Sequence, residues 1–324
     1  MRTEGNPIKQ NPALKGGYKR HRIIMPVYIP NHEGYYKDAF AIFELCLQSL
    51  IDTTDRAHVN ISIINNASVP EVDELVKGKL ATGEVDQYVY NQVNRGKADA
   101  IVGLAKASYE PFITIADADV LFGSNWLYEI EKVIYDFPLA GAVSPFPAPN
   151  LKFTFTSSVW ISNFFTIKRA KVVSDHDLLK FEESLGISGF FKQEDIKQQY
   201  YLKGKLTKAI VGSGHFVCTY RRDIFCFLDF KPTKMGLKGG LKIIDENVDR
   251  LAFWRLSVLA PKVYHMGNVL NSKSIELFLS VETGEKFSGE ISEEIKISFL
   301  RYTPYFLRKK VIFLILIIKK IGLR

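Results

Sequence analysis

The spacing of apolar and polar positions changes repeatedly along the chain, and each change predicts an element. "HRIIMPVYIP" (21–30) is a short apolar run closed by a proline turn and predicts a buried strand. In "YYKDAFAIFELCLQSLIDTT" (35–54), Phe40, Phe43, Leu47 and Leu50 recur at helical spacing on one face. The β-branched run "VNISIINNAS" (59–68) predicts a second strand. "VPEVDELVKGKLAT" (69–82) predicts a charged amphipathic helix with Pro70 near its start. "VDQYVYN" (85–91) predicts a third strand, "KADAIVGLAKAS" (97–108) an alanine-rich helix, "FITIAD" (112–117) a fourth strand and "NWLYEIEKVIYDFP" (125–138) a helix. Strands alternating with helices at this spacing predict an α/β fold, a mostly parallel sheet with helices on both faces. Ligands of such sheets bind outside the carboxyl ends of the strands.

Beyond residue 138 the pattern is less regular. "AGAVSPFPAPN" (140–150) predicts a strand running into a proline-rich loop, which marks a seam between two halves. Residues 151–210 are aromatic and follow no clear period. "AIVGSGHFVCTYRRDIF" (209–225) returns to strand character, and "KIIDENVDRLAFWRLSVLAPKVYHMGN" (242–268) predicts a loop, a helix and a final strand. The chain therefore divides into a polar basic tail (1–21), a first half (22–145), a second half (146–270) and an extension (271–324).

Composition narrows the function classes. At 47% hydrophobic content, 324 residues build a sizeable core. The three cysteines, Cys46, Cys218 and Cys226, form no CxxC pair, which argues against structural zinc and against a disulfide framework. Cys218 and His215 read as packing groups. The net charge is +8, but residues 297–324 carry +7 and residues 1–22 carry +5, leaving −4 for the body. The basic character belongs to the ends, which argues against a nucleic-acid-binding core. The N-terminus lacks the apolar segment of a secretory leader.

The candidate chemistry sits in "PFITIADADVLFG" (111–123), where an apolar run ends in Asp117 and Asp119. On an extended backbone, side chains at i and i+2 point to the same side, so both carboxylates reach one point at a strand tip. Unpaired, they repel and one takes up a proton. A divalent cation removes that conflict, because Mg²⁺ and Mn²⁺ bind through one or two carboxylates plus phosphate oxygens. The alternative for Asp119 is a helix cap for "SNWLYEIEKV".

The ordered run "RIIMPVY", "ISIINNAS", "NRGKADAIVGLAKAS", "FITIADAD" resembles glycosyltransferase family 2, with its GT-A fold, closely over 22–145 and more loosely to 268. The resemblance implies a nucleotide-sugar-binding half followed by an acceptor-binding half. Pro26 and Tyr28 would line the nucleotide pocket, and Asn65 stands where the family offers an aspartate to the nucleotide. Asn94 and Lys97 lie in a segment similar to the family's N-x-G beside the donor, where Lys97 would meet phosphate. Asp117 and Asp119 match the family's D-x-D and would hold Mn²⁺ or Mg²⁺, with His265 of "VYHMGN" as a further contact. The catalytic base would be Glu246 or Asp245 of "IDENVDR", which the sequence does not separate. The resemblance implies inverting transfer of a sugar from a nucleoside-diphosphate sugar, with a UDP-sugar favoured, to a glycan or lipid-linked acceptor in cell-surface polysaccharide assembly. A sugar-phosphate nucleotidyltransferase would want a glycine-rich phosphate loop after the first strand, and "PVYIPNHEG" is not one. A non-catalytic scaffold with the same fold is disfavoured by the intact acids.

The extension ends in "RYTPYFLRKKVIFLILIIKKIGLR" (301–324). Its eight-residue apolar core "VIFLILII" falls far short of the ~20 residues needed to span a bilayer. At helical spacing Arg301, Arg308, Lys309, Lys310, Lys319, Lys320 and Arg324 share one broad sector. This predicts a cationic helix on an anionic membrane surface, attached peripherally from the cytoplasmic side. The alternative is a helix packed against the domain.

Overall fold

A computed structural model describes residues 18–231, 240–271 and 296–320. Most of the predicted basic tail and much of the extension, including Arg324, lie outside the described residues.

The alternating part forms as its periodicity predicts. Strands β1 (His21–Val27), β2 (Val59–Asn66), β3 (Gln87–Asn91) and β4 (Phe112–Ala116) alternate with helices α1 (Ala39–Asp52), α2 (Pro70–Ala81) and α3 (Lys97–Ala107). β2, β1 and β4 adjoin in that order, all parallel, with β3 outside β2. The short β5 (Val120–Phe122), α4 (Trp126–Asp136) and β6 (Ala140–Ser144) follow.

Residues 151–210, which follow no sequence period, hold α5 (Ser157–Ser162), β7 (Lys168–Ala170), α6 (Asp175–Leu185), α7 (Gln193–Lys197), β8 (Gln199–Lys203) and β9 (Lys208–Val211). β7, β8 and β9 form an antiparallel meander that extends the sheet. The chain continues through β10 (Val217–Arg221), α8 (Asp223–Cys226), α9 (Lys242–Arg250), β11 (Trp254–Ser257) and β12 (Val263–His265) to the terminal α10 (Tyr305–Lys320).

The sheet has ten strands in the order β3-β2-β1-β4-β10-β6-β11-β9-β8-β7, and β5 pairs with β12 in a separate ribbon. β10 runs antiparallel between β4 and β6, so strands from 22–145 and from 146–270 interleave in one sheet. The proline-rich 145–149 is buried inside the fold rather than lying exposed as a linker.

Both faces of the central strands are covered. Ile23, Met25 and Val27 of β1 pack toward α1, while Ile24 packs with Ile101 of α3 and Ile244 and Val248 of α9. A strand buried on both sides reads as a continuous apolar run, as β1, β2 and β4 do in the sequence. All three cysteines are free, and Cys46 and Cys218 are buried.

β1 leads outward to β2 and β3, and the chain then returns to place β4 on β1's other side. That reversal opens a crevice at the carboxyl ends of β1 and β4, the place where an open α/β sheet accepts a ligand.

Candidate functional site: a carboxylate-floored cavity at the sheet edge

A cavity of about 470 Å³ occupies that crevice. Pro26 near the end of β1 and Tyr28 just after it, Asn94 before α3 and Lys97 at its first residue, and Asp117 and Asp119 after β4 all line it. The crossover topology thus gathers six of the residues singled out from the sequence.

Asn65 is not among them. Its side chain is fully buried, its amide donates to the Tyr88 hydroxyl at 2.9 Å, and its carbonyl oxygen accepts from the Ser68 amide at 2.8 Å. The neighbouring Asn66 lines the cavity instead. It donates to Asn94 Oδ1 at 2.7 Å and accepts from the Arg95 amide at 3.0 Å, and Asn94 also accepts from the Gly96 amide. Gly96, at φ 80, turns the chain into α3. The Asn66–Asn94 pair fixes the loop that delivers Lys97. The sequence reading missed Tyr35 and Tyr36 of a 3-10 turn, which also line the cavity. Tyr28 meets Tyr36 edge-on at 6.2 Å. Their signal was the "YY" pair at the head of the first predicted helix, which begins only at Ala39.

The two aspartates reach the cavity by a route other than the predicted one. β4 ends at Ala116, and residues 117–119 turn into β5 rather than continuing as a strand. The carboxylates consequently have different partners. Asp117 pairs with the Lys97 ammonium, and its amide donates to the Phe216 carbonyl at 2.7 Å. Asp119 lies 3.6 Å from His265 Nε2. Its Oδ1 is buried and has no hydrogen-bond partner. Burial pushes the Asp119 carboxyl above its ordinary value; His265 opposes this and the charge of Asp117 adds to it. Burial and the charge of Asp119 likewise raise the Tyr35 phenol.

An orphaned buried carboxylate oxygen beside a second carboxylate suits a divalent cation. Among the described residues no three His, Cys, Asp or Glu side chains gather closely enough to cage an ion alone. A cation here would complete its shell with ligand and water oxygens, as Mg²⁺ commonly does. His265 Nδ1 accepts from the Gly267 amide at 3.1 Å, which puts the proton of the neutral ring on Nε2, facing Asp119. In this tautomer the ring N–H is directed toward Asp119, 3.6 Å away.

The late acids stand outside the cavity's lining. Glu246 pairs with Lys309 of α10 at 3.0 Å and with Arg250 at 3.3 Å. Burial alone would raise its carboxyl, but those two cations bring it below the ordinary glutamate value. Asp245 is buried: Oδ1 accepts from the Tyr220 hydroxyl at 2.9 Å and Oδ2 pairs with Arg255 at 3.0 Å. Asp249, the third acid of the motif, caps α5 by accepting from the Ser157 and Ser158 amides at 3.0 and 2.8 Å. His215, read as a packing group, is instead exposed, and its Nδ1 lies 3.7 Å from Asp245.

Helix α10 packs on α5 through a face that includes Ile315 and a buried Arg308. Arg308 donates to Ser158 Oγ and to the Asp249 carbonyl, both at 2.6 Å, so it faces the body and not the predicted cationic surface. Arg301 precedes the helix, in a 3-10 turn. Phe306, Leu307, Val311, Phe313 and Leu314 of α10 are exposed. No helix among the described residues is long and apolar enough to cross a membrane.

Fold and site define a class: an α/β protein whose ligand cavity lies at the switch point of the sheet and is floored by two carboxylates. The chain belongs to glycosyltransferase family 2, since the family described as Glycosyl transferase family 2 matches residues 24–192, just over half of it. No curated protein matches the sequence. Among solved structures, the chain is similar to the mannosyltransferase PcManGT from Pyrobaculum calidifontis, in complex with GDP-Man and Mn²⁺, at 17% identity and a TM-score of 0.45, covering 76% of this chain and 55% of that one. It is also similar to S. aureus TarS 1-349 in complex with UDP-GlcNAc, at 10% identity and a TM-score of 0.46, covering 78% and 62%. The chain thus spans less than two thirds of the length of either.

Proposed function

We propose that the protein is a metal-dependent, inverting glycosyltransferase that moves a sugar from a nucleoside-diphosphate sugar to a hydroxyl of a glycan or lipid-linked acceptor in cell-surface polysaccharide synthesis. The observation that carries this reading is the pairing of Asp117 with the unpartnered buried oxygen of Asp119 at the floor of the switch-point cavity. Family membership supplies the reaction class.

Asp117 and Asp119 would hold Mn²⁺ or Mg²⁺, and His265 would keep Asp119 oriented. The bound ion supplies positive charge where negative charge grows on the departing diphosphate. Lys97, which pairs with Asp117 at the N-terminus of α3, would offer its ammonium to the phosphates. Tyr28, Tyr35 and Tyr36 offer ring faces and hydroxyls to the nucleoside. A base must take the acceptor's proton as its oxygen attacks the anomeric carbon opposite the leaving group. Of the two acids named from the sequence, Glu246 is held by two cations, and Asp245 approaches the exposed edge through His215.

The outer face of α10, apolar with Lys310 exposed beside it, fits the surface of an anionic membrane on the cytoplasmic side.

A thermal-shift panel of UDP, GDP and their sugar conjugates, each with and without Mn²⁺, tests the donor site. We expect one nucleotide series to raise the melting temperature only when Mn²⁺ is present, with UDP first. Stabilisation that ignores the metal, or none with any nucleotide, removes the basis of the reading.

A further inference from the structure

We infer that the acceptor is an acidic glycan, and that a second cavity at the far end of the β5–β12 ribbon holds the sugar units behind the one that reacts. The inference rests on the transferase reading above and names the acceptor class within it.

The ribbon has a cavity at each end. Asp119, just before β5, lines the donor cavity, and Gly123, just after β5, lines a second cavity of about 430 Å³. The steps from Asp119 to Gly123 cover about 13 Å of extended chain. On β12 the order is matched: His265 lies toward Asp119, and the Lys262 carbonyl accepts from the Gly123 amide at 3.0 Å. Helix α6 spans the same interval. The Ser184 carbonyl lies so close to Gly267 of the donor cavity that a Cβ there would meet it at 3.1 Å, while His176 and Lys180 line the second cavity. From Ser184 back to His176 is about 12 Å of helix. Two elements thus set one separation, the span of a short oligosaccharide.

The second cavity has an apolar wall and a cationic rim. Phe146 and Phe181 line it with ring centroids 4.2 Å apart. Phe181 stacks on Phe216, the ring that stands edge-on to His265 at 5.7 Å, so the wall is continuous with the group that faces Asp119. Aromatic faces of this kind take the C–H face of a sugar ring. The Lys180 ammonium stands 5.6 Å over the Tyr264 ring, and Lys262 lines the cavity with them. Both lysines are half-buried, and among the described residues neither pairs with a carboxylate. The acid at this rim, Asp177, has His176 at 3.5 Å.

The positive charge continues outward. Ala260 and Lys262 also line an adjoining cavity of about 460 Å³, together with Lys203, Lys205 and Lys208 of the β8–β9 hairpin. The turn of that hairpin is held in place, because the Leu206 and Thr207 amides both donate to Asp136 Oδ2, at 2.7 and 2.6 Å. Glu129, the acid of this cavity, is already paired with Lys132 at 3.1 Å. The body of the chain is net negative, so the lysines form a local concentration of like charge that an anion would relieve. A neutral glycan would leave them unmatched, whereas carboxylate or phosphate groups spaced along the acceptor would meet them in turn. A concave site of this size takes sugar units rather than the plane of a bilayer.

Calorimetric titration of the full chain tests this at low salt, with Mn²⁺ and the nucleotide that the thermal-shift panel selects. The ligands are an oligogalacturonate and a phosphate-bearing oligomannose, each beside its neutral counterpart, the methyl ester and the dephosphorylated oligomannose. We expect at least one acidic ligand to bind about 10-fold more tightly than its counterpart, with affinity falling as NaCl is raised. The stronger of the two tells carboxylate from phosphate. K180Q/K262Q should lose that preference while melting within a few degrees of wild type and keeping its Mn²⁺-dependent nucleotide shift. Acidic ligands that bind no better than their counterparts, or a preference that K180Q/K262Q keeps, overturn this inference and leave the transferase reading standing. Flotation with phosphatidylserine vesicles that K180Q/K262Q loses, without acidic-glycan binding, assigns the lysines to a membrane and overturns it as well. A wild-type protein that shows no nucleotide-dependent shift loses the transferase reading and this inference with it.

Discussion

Asp119 carries the tension of the site in two oxygens with different surroundings. One lies toward His265, and the other is buried without a partner. A carboxylate oxygen buried this way costs stability until something positive arrives. Asp119→Asn removes the charge and keeps the shape. We therefore expect it to raise the melting temperature of the ligand-free protein and to abolish the Mn²⁺-dependent shift seen with nucleotide, both read in the same thermal-shift assay. The D-x-D spacing was legible in the sequence, and so was the sign of the ligand it implies. The geometry was not, because the argument from an extended backbone fails where β4 stops at Ala116 and the pair sits in a turn. Asn65 and Asn66 show the same limit at one-residue resolution. Both stand at the end of β2, and only the pairing of β2 with its neighbours decides which amide reaches the cavity.

Helix α10 satisfies two sets of contacts at once. Its inner face is tied to the body by Arg308, by Ile315 and by the Lys309–Glu246 pair. Its outer face leaves Phe306, Phe313 and Leu314 in water. Each such side chain gains ~1.5–3 kcal/mol when buried, which makes an exposed row of them unusual on a surface without a partner. Replacing Phe306, Phe313 and Leu314 together by serine leaves the docking face intact. We expect that variant to melt within a few degrees of wild type and to lose flotation with vesicles containing phosphatidylserine. Co-flotation at the wild-type level would show that this face does not bind membrane. The sequence showed a short apolar core flanked by lysines but placed Arg308 with the other cations. A helical wheel cannot show that Arg308 faces Asp249 and Ser158, because those partners lie 59 and 150 residues away in the chain.

Across the whole molecule, ionic ties at several points hold distant segments of the sheet and helices together. Burial alone would raise Asp86, but the Ile61 amide, Arg56 and Lys19 bring it below its ordinary value. Arg22 and Asn60 do the same for Glu110, as Lys309 and Arg250 do for Glu246. Carboxylates depressed in the folded state contribute stability that is complete above their unfolded values, about pH 4, and is lost as pH falls through the lower folded values. We expect the melting temperature to stay level from about pH 8 to 5 and to fall steeply below about pH 4, as followed by circular dichroism. By itself the sequence determined the alternating βα units, the face α1 buries and the acidic pair after β4, because periodicity and residue chemistry are local properties of the chain. Tertiary structure alone decided that the strands of residues 151–210 extend the sheet, that β10 enters between β4 and β6, and that Phe216 is fastened to Asp117 of the D-x-D turn. Those strands are only three to five residues long, and they join the sheet where β9 meets β11 and β10 meets β4 and β6, segments remote in the chain, so their place depends on hydrogen bonds that no local pattern encodes.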